Sequence, residues 1–96
     1  MSDLEFLKTL QSIIEQRIAA APEQSYTAKL AAQGTLKVAQ KVGEEGVELA
    51  LAAAAQDDGR VTAEAADLLY HLLVLLRMRG LRIEDVVAEL ERRHRR

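Results

Sequence analysis

The chain has no cysteine and no tryptophan, and it has one proline, one phenylalanine and five glycines among 96 residues. Without cysteine it can form neither a disulfide framework nor a thiolate metal site, which fits a reducing compartment. Because large aromatic side chains are scarce, the core must be built from Leu, Ile, Val and Ala. Side chains of this kind suit closely packed helices.

Strong charge of one sign and long apolar runs are also absent. Thirteen basic and fifteen acidic residues leave a net charge of −2, which gives no bulk attraction to nucleic acid. The longest nearly apolar run, 68–76, is too short to cross a bilayer and contains His71. The first residues lack the basic and apolar regions of a signal peptide. We therefore expect a soluble cytoplasmic protein without a nucleic-acid or membrane partner.

Apolar residues recur at helical spacing along most of the chain, and no segment alternates as a strand does. We predict one all-α domain covering 1–96, with helices at about 3–20, 26–33, 36–56, 61–79 and 83–94. The predicted end signals are a capping box from Ser2 to Glu5, caps at Ser25 and Thr35, a turn at 57–59, and the closing Gly80.

The fourth predicted helix is apolar on nearly every side over 68–76. A helix of this kind is buried all round, which is difficult in a chain of 96 residues without a partner subunit. The pattern therefore predicts a bundle of about four to five helices that is completed by homodimerisation.

Acidic residues stand in the third and fourth predicted helices, which are otherwise rich in Ala, Val and Leu. They are Glu44, Glu45, Glu48, Glu64 and Asp67. In each helix two of them lie one turn apart and so share a face, and two facing pairs would supply four carboxylates. Oxygen ligands of this kind favour Mg²⁺ or Mn²⁺. Asp67 is flanked by alanines and leucines, so we expect it to be buried; the alternative for the whole set is surface ion pairing with lysines.

Lysines and glycines surround the first acidic group. Lys37 and Lys41 lie one turn apart and could hold phosphate oxygens, although Lys41 could equally pair with Glu45. Gly43 and Gly46 are costly within a helix, and they could allow close approach of a ligand or simply reflect tight packing.

A second group of candidates could contact a substrate. Hydroxyls and a lysine at the start of the second predicted helix suit anion binding, although a serine there is most often a cap. These residues are Ser25, Tyr26, Thr27 and Lys29. His71 follows Asp67 by one turn and could orient a neighbouring group, contact the substrate or be a core histidine with satisfied hydrogen bonds; we count it among the substrate-binding candidates. Tyr70 faces another side and is expected to pack.

The pattern of these residues resembles that of a known protein family. The EExxE and ExxD pattern resembles the MazG-like all-α nucleoside triphosphate pyrophosphohydrolases, and the match to the phosphoribosyl-ATP pyrophosphatases (phosphoribosyl-ATP diphosphatases) of histidine biosynthesis is much closer. The matching segments cover almost the whole chain in the family's order. They are SYTAKL (25–30), KVGEEGVELALAA (41–53), EAADLLYHLLVLL (64–76) and IEDVVAELERR (83–93).

The resemblance implies a Mg²⁺-dependent enzyme that hydrolyses 1-(5-phosphoribosyl)-ATP to 1-(5-phosphoribosyl)-AMP and pyrophosphate, as a homodimer. It implies the metal ligands Glu45, Glu48, Glu64 and Asp67, with Glu44 near the metal or orienting water. The candidate catalytic residues are thus Glu44, Glu45 and Glu48. The resemblance also implies that the substrate is contacted by Ser25, Tyr26, Thr27, Lys29, Lys37 and Lys41.

Two other functions remain open from the sequence. One is a housekeeping pyrophosphohydrolase that acts on ordinary or damaged nucleotides with the same metal site. The other is a non-enzymatic helical dimerisation module in which the acids are structural. Arg82 stands where family members often have a Ser-like cap, so we expect a frayed start to the last helix. The cyclohydrolase domain that some relatives carry is not seen in these residues, so we expect another protein to perform the next step.

Overall fold

The computed structural model describes residues 3–95, and over this range the chain forms five α-helices and one short 3₁₀ helix, with no β-strand. The helices are α1 (Phe6–Ile18), α2 (Tyr26–Ala32), α3 (Thr35–Ala55), α4 (Asp58–Met78) and α5 (Ile83–His94), and the 3₁₀ helix is Pro22–Gln24. The predicted all-α class and the number of helices are confirmed.

The starts of the first three helices only partly match the prediction. Ser25 does cap α2, because its Oγ accepts a hydrogen bond from the Ala28 N–H at 2.9 Å. At α1 the helix begins at Phe6, directly after Glu5; the predicted capping box involves Ser2, which lies outside the described residues. Thr35 is not a cap; α3 begins at Thr35 itself, after Gly34, whose φ of 97° favours glycine.

Helix α4 begins earlier than the predicted residue 61. The Oδ1 atom of Asp57 accepts a hydrogen bond from the Arg60 N–H at 2.9 Å, so Asp57 is the N-cap and Asp58 and Gly59 form the first turn. The predicted separate turn at 57–59 is therefore wrong. Gly80, with a φ of 74°, follows the end of this helix as predicted.

Helix α5 has the predicted bounds, and hydrogen bonds stabilise its start more than we expected. The Arg82 N–H donates a hydrogen bond of 2.9 Å to Asp85 Oδ2, and the Asp85 N–H, which a Ser-like cap would have bound, donates to the Arg82 main-chain oxygen at 3.0 Å. The expected fraying is therefore wrong, because an acid in the first turn satisfies the backbone from within the helix.

Helices α3 and α4 form a hairpin that is joined only by Gln56 and Asp57. The two helices pack along each other more extensively than any other pair in residues 3–95. Because so short a connection forces neighbouring helices to run antiparallel, the second half of α3 lies against the first half of α4. The acidic residues of both helices lie in these two halves.

The core lies where four helices meet. It contains Ile14 of α1, Leu30 of α2, Val38 of α3, and Leu73 and Val74 of α4. Each side chain of this size contributes about 1.5–3 kcal/mol when fully buried. Helix α5 contributes no buried residue and packs against this core mainly through Ile83.

The burial of α4 differs from the prediction. Of its run of apolar residues, only Leu73 and Val74 are buried, and the flanking leucines are half-buried. Asp67 is exposed, so its predicted burial is also wrong. The reason is geometric: within one chain the other helices cover one side of α4 and leave part of its surface open.

No helix in residues 3–95 combines the length and apolar character needed to cross a membrane.

Candidate metal centre

The α3–α4 hairpin brings three carboxylates together. Glu45 and Glu48 lie one turn apart on α3, Glu64 lies on the facing part of α4, and one oxygen from each lies within 4.8 Å of the other two. Glu45 and Glu64 are each only 7% exposed, whereas Glu48 lies at the open rim. We call Glu45, Glu48 and Glu64 the carboxylate cluster.

Nearby cations neutralise part of this charge. Lys41 Nζ lies 3.6 Å from Glu45 Oε1, and Arg60 Nη2 lies 3.2 Å from Glu64 Oε2. Both ion pairs join residues one turn apart on the same helix. The pairing of Lys41 with Glu45, one of the two alternatives from the sequence, is thus present, and Lys37 is exposed one turn earlier.

The remaining oxygen of Glu45, Oε2, is buried. No hydrogen-bond donor within residues 3–95 reaches it. A buried oxygen without a donor is costly, and more so when it carries charge. The charges of Glu45 and Glu64 also raise the pKa of the Glu48 carboxyl above its ordinary value of 4.5. The cluster therefore favours a bound cation.

The chemistry of the donor set fits a hard divalent cation. All three groups are carboxylates, the ligands that Mg²⁺ and Mn²⁺ share in proteins, and the unpartnered Glu45 oxygen is available to coordinate. A cation at this position would offset the mutual repulsion of the cluster.

The two other acidic candidates lie outside the cluster. Asp67 follows Glu64 by one turn on α4, but it is exposed and is not among the carboxylates that meet within 4.8 Å. Glu44 is exposed on α3 and accepts a hydrogen bond of 3.0 Å from Gln40 Nε2. The structure therefore brings together three of the four predicted ligands.

A second polar group joins α2 to α4. Tyr26 Oη lies 2.8 Å from His71 Nε2, and Thr27 Oγ1 is hydrogen-bonded to Tyr70 Oη. Thr27 is buried, Lys29 is exposed, and Ser25 caps the helix. We call Tyr26, Thr27, Tyr70 and His71 the tyrosine–histidine cluster. Tyr70 packs against the core as expected and also makes a hydrogen bond that was not predicted.

The glycines of α3 are not explained by packing within the chain. Among residues 3–95, a Cβ atom at Gly43 or at Gly46 would meet no side chain or neighbouring backbone within 4 Å. The interpretation of tight packing is therefore wrong for the chain alone. A ligand or a second chain remains as the reason for the space beside them.

Sequence reasoning missed two contributors, Arg60 and Tyr70. The spacing of Arg60 and Glu64, one turn apart, was a signal that an ion pair could form. Nothing in the sequence indicated the bond between Tyr70 and Thr27, because it joins helices that are far apart in the chain.

Known proteins resemble this chain over nearly all its length. The family model described as phosphoribosyl-ATP pyrophosphohydrolase matches residues 7–94. A protein of Xanthomonas campestris pv. campestris is 55% identical over 91 residues, covering 95% of this chain and 44% of the relative. A protein of Escherichia coli (strain K12) is 55% identical over 89 residues, covering 93% and 44%. Both relatives are named histidine biosynthesis bifunctional protein HisIE, and the chain spans less than half of their length.

Proposed function

The chain belongs to the phosphoribosyl-ATP pyrophosphohydrolase family, and we propose that it hydrolyses 1-(5-phosphoribosyl)-ATP to 1-(5-phosphoribosyl)-AMP and pyrophosphate. This reaction is the second step of L-histidine biosynthesis, the pathway named in its relatives. The observation that carries the proposal is the carboxylate cluster, with an unpartnered buried oxygen of Glu45 inside the matched residues. A substrate with so many negative charges does not cross a bilayer unaided, so we place the reaction in the cytoplasm.

Mg²⁺ is the cation that we propose for this centre, with Mn²⁺ as a substitute. Glu45, Glu48 and Glu64 would hold it, and Asp67 would join them through a change of its side-chain rotamer. When bound, the cation supplies positive charge to the triphosphate and lowers the charge repulsion that opposes attack at phosphorus.

The side chains around the cluster have separate roles in this proposal. Lys37 and Lys41 attract phosphate oxygens, and Lys41 exchanges its contact with Glu45 for one with the substrate. Glu44, which is exposed beside the cluster, orients the attacking water. The water oxygen bonds to the α-phosphorus as the bond from that phosphorus to the oxygen bridging the α- and β-phosphates breaks; pyrophosphate leaves, and the water proton is released to solvent. Most of the acceleration would come from positioning and charge.

Substrate contacts outside the metal centre are assigned to the start of α2. Tyr26 and Lys29 are exposed there and are free to meet the substrate, with Ser25 holding the helix start. Thr27 is buried and bonded to Tyr70, so we assign it to holding α2 in place.

A homodimer is also part of the proposal. Helix α3 exposes large apolar side chains, with Leu36 86%, Val47 61% and Leu51 60% exposed, and α4 keeps several leucines half-buried. Apolar surface of this kind on neighbouring helices supports a second copy packing there. Sedimentation of the purified chain tests the assembly independently of activity.

Release of pyrophosphate from phosphoribosyl-ATP, with Mg²⁺ and with EDTA, tests the function. ATP and dUTP serve as alternative substrates, and Glu48→Gln protein prepared in the same way reports contaminating activity. Selective release that requires Mg²⁺ supports the proposal. Release only from ATP or dUTP would overturn the substrate and favour the housekeeping enzyme. No release from any nucleotide would favour the dimerisation module.

A further inference from the structure

His71 lies between the only two tyrosines of the chain. Its ring centre lies 5.9 Å from that of Tyr26 and 5.5 Å from that of Tyr70, and it meets both rings edge to face at 83° and 82°. His71 as a whole is only 7% exposed, so protein groups and not water surround its side chain. An edge-to-face pair is a favourable aromatic geometry.

Both ring nitrogens of His71 are already engaged. Nδ1 lies 2.7 Å from the main-chain oxygen of Asp67, and since a carbonyl oxygen can only accept, Nδ1 carries the hydrogen. In the tautomer with its hydrogen on Nδ1, Nε2 has no hydrogen, so it accepts the Tyr26 O–H at 2.8 Å. His71 has no nitrogen left for a substrate while these bonds persist.

Tyr26, in contrast to the buried His71, is 54% exposed. Its only hydroxyl hydrogen is given to His71, so what remains on its oxygen is acceptor capacity. A phosphate oxygen is also an acceptor and would not pair well with this atom. A hydroxyl of ribose, or the amino group of adenine, would pair with it.

We propose that His71 is a positioning residue that holds Tyr26 as a hydrogen-bond acceptor, and that Tyr26 receives a hydrogen bond from a ribose hydroxyl or the adenine amino group of the substrate. A second hydrogen bond joins α2 to α4 beside this contact. It links Thr27, the residue after Tyr26, to Tyr70, the residue before His71. The bond from His71 Nδ1 to the main-chain oxygen of Asp67, one turn earlier on α4, fixes the orientation of the ring on the helix that also carries Glu64. The inference rests on the proposed function for the identity of the substrate.

A double-mutant cycle on KM tests the inference. Loss of one hydrogen bond to the substrate corresponds to roughly a tenfold rise in KM, and we expect this rise in Tyr26→Phe and in His71→Leu, with little change in kcat. If His71 acts through Tyr26, the double variant should match the single variants, because the second change removes nothing further. His71→Gln, whose side-chain carbonyl can accept from Tyr26, should recover most of the wild-type KM.

Substrate analogues separate the two donor groups. Analogues that lack one ribose hydroxyl, or in which inosine replaces adenosine, should raise KM for the wild type. The analogue that lacks the true donor should raise KM no further in Tyr26→Phe. If every analogue raises KM equally in both proteins, Tyr26 meets no donor and the inference is overturned.

Nitrogen NMR of the imidazole provides a readout that does not depend on turnover. The chain has two histidines, so His94→Gln leaves only the signals of His71 and assigns them. We expect a hydrogen on Nδ1 and none on Nε2, and a shift of the Nε2 signal in Tyr26→Phe. A hydrogen on Nε2, or no shift, would overturn the inference.

The kinetic outcomes also separate this inference from the proposed function. If the KM effects of Tyr26→Phe and His71→Leu multiply, His71 contacts the substrate itself and the positioning role is wrong. If wild-type protein releases no pyrophosphate from phosphoribosyl-ATP, the proposed function fails. The nitrogen spectra still decide whether His71 accepts from Tyr26 in that case.

Discussion

Two polar clusters lie along α4, and they satisfy their polar atoms in different ways. In the tyrosine–histidine cluster each named group has a partner from the protein, including both nitrogens of the buried His71. In the carboxylate cluster three acids meet, one buried oxygen of Glu45 has no donor in the described part of the chain, and the pKa of Glu48 is raised by its acidic neighbours.

The two clusters differ in role: the tyrosine–histidine cluster stabilises the packing of the helices, whereas the carboxylate cluster is suited to binding a cation. Polar side chains that satisfy one another restrict how two helices can pack, so they favour one arrangement of α2 on α4. The three carboxylates repel one another, Lys41 and Arg60 offset this repulsion only in part, and a bound cation would relieve the rest. Variants in each cluster should therefore affect different quantities, activity in one case and folding or KM in the other.

The largest expected effect comes from Glu48→Gln. The amide keeps the size of the side chain but removes a charge, so we expect hydrolysis to fall by at least about 100-fold. The stabilisation that Mg²⁺ gives to the wild type, about 2.7 kcal/mol at 100 times Kd, should also be lost. Pyrophosphate release and calorimetry measure the two effects.

Glu91→Gln is the matched control for that variant, because Glu91 is an exposed glutamate of α5 that pairs with Arg95. It should keep both activity and the response to Mg²⁺. Full activity in Glu48→Gln would show that the carboxylate cluster is not the catalytic metal centre.

Asp67→Asn should have the next largest effect. Asp67 is exposed and outside the cluster, so we expect the dimer to stay folded, with unfolding free energy unchanged within about 0.5 kcal/mol. Turnover should fall by about 10-fold to 100-fold if its carboxylate completes the centre. Steady-state kinetics over a range of Mg²⁺ concentrations measures this loss. Unchanged kinetics would leave the three glutamates as the whole centre.

Gly46→Ala should raise stability and leave activity close to that of the wild type. A Cβ at this position meets nothing in residues 3–95 within 4 Å, so we expect the unfolding free energy to rise by about 1 kcal/mol. Activity should be kept, because the change affects the helix propensity of α3 and not the carboxylate ligands. Urea unfolding and pyrophosphate release measure the two quantities. Gly34→Ala is the contrasting variant and should lose about 1–2 kcal/mol, because the φ of 97° strains any other residue.

The smallest effect is expected in the pH dependence of the metal-free protein. Because the folded-state pKa of Glu48 lies above 4.5, its carboxyl favours folding below that pH, and the contribution is lost as pH rises through the raised pKa. Glu48→Gln removes this loss. In urea unfolding with EDTA, the unfolding free energy of the variant relative to the wild type should therefore rise from about pH 4 to about pH 7. A constant difference across this range would mean that the three carboxylates do not interact.

The sequence predicted the fold class and most helices because their signals are local. The cap at Ser25, the closing Gly80 and the bounds of α5 follow from side chains acting on the nearest turn of backbone. Errors arose where two local signals compete. The segment 57–59 fits either a turn or an N-cap followed by a first helical turn, and the structure has the second, with Asp57 as the N-cap.

The candidate site was predicted less completely than the fold. The pairing of Glu45 with Glu48 follows from helical spacing, and the approach of Glu64 was expected by analogy with other carboxylate bundles. The exposure of Asp67 was not predicted, because apolar neighbours in sequence do not cover a side chain that points away from the other helices. The unpartnered oxygen of Glu45 has no signature in the sequence at all.

By itself the sequence determined where the helices form, which residues share a face and which chemistry the acids can perform, because these depend on contacts within a turn or two. Only the tertiary structure decided that three glutamates meet, that one buried oxygen has no donor, and that His71 is committed to Tyr26 and Asp67. The physical reason is that these contacts join helices, and their distances depend on how the whole bundle packs.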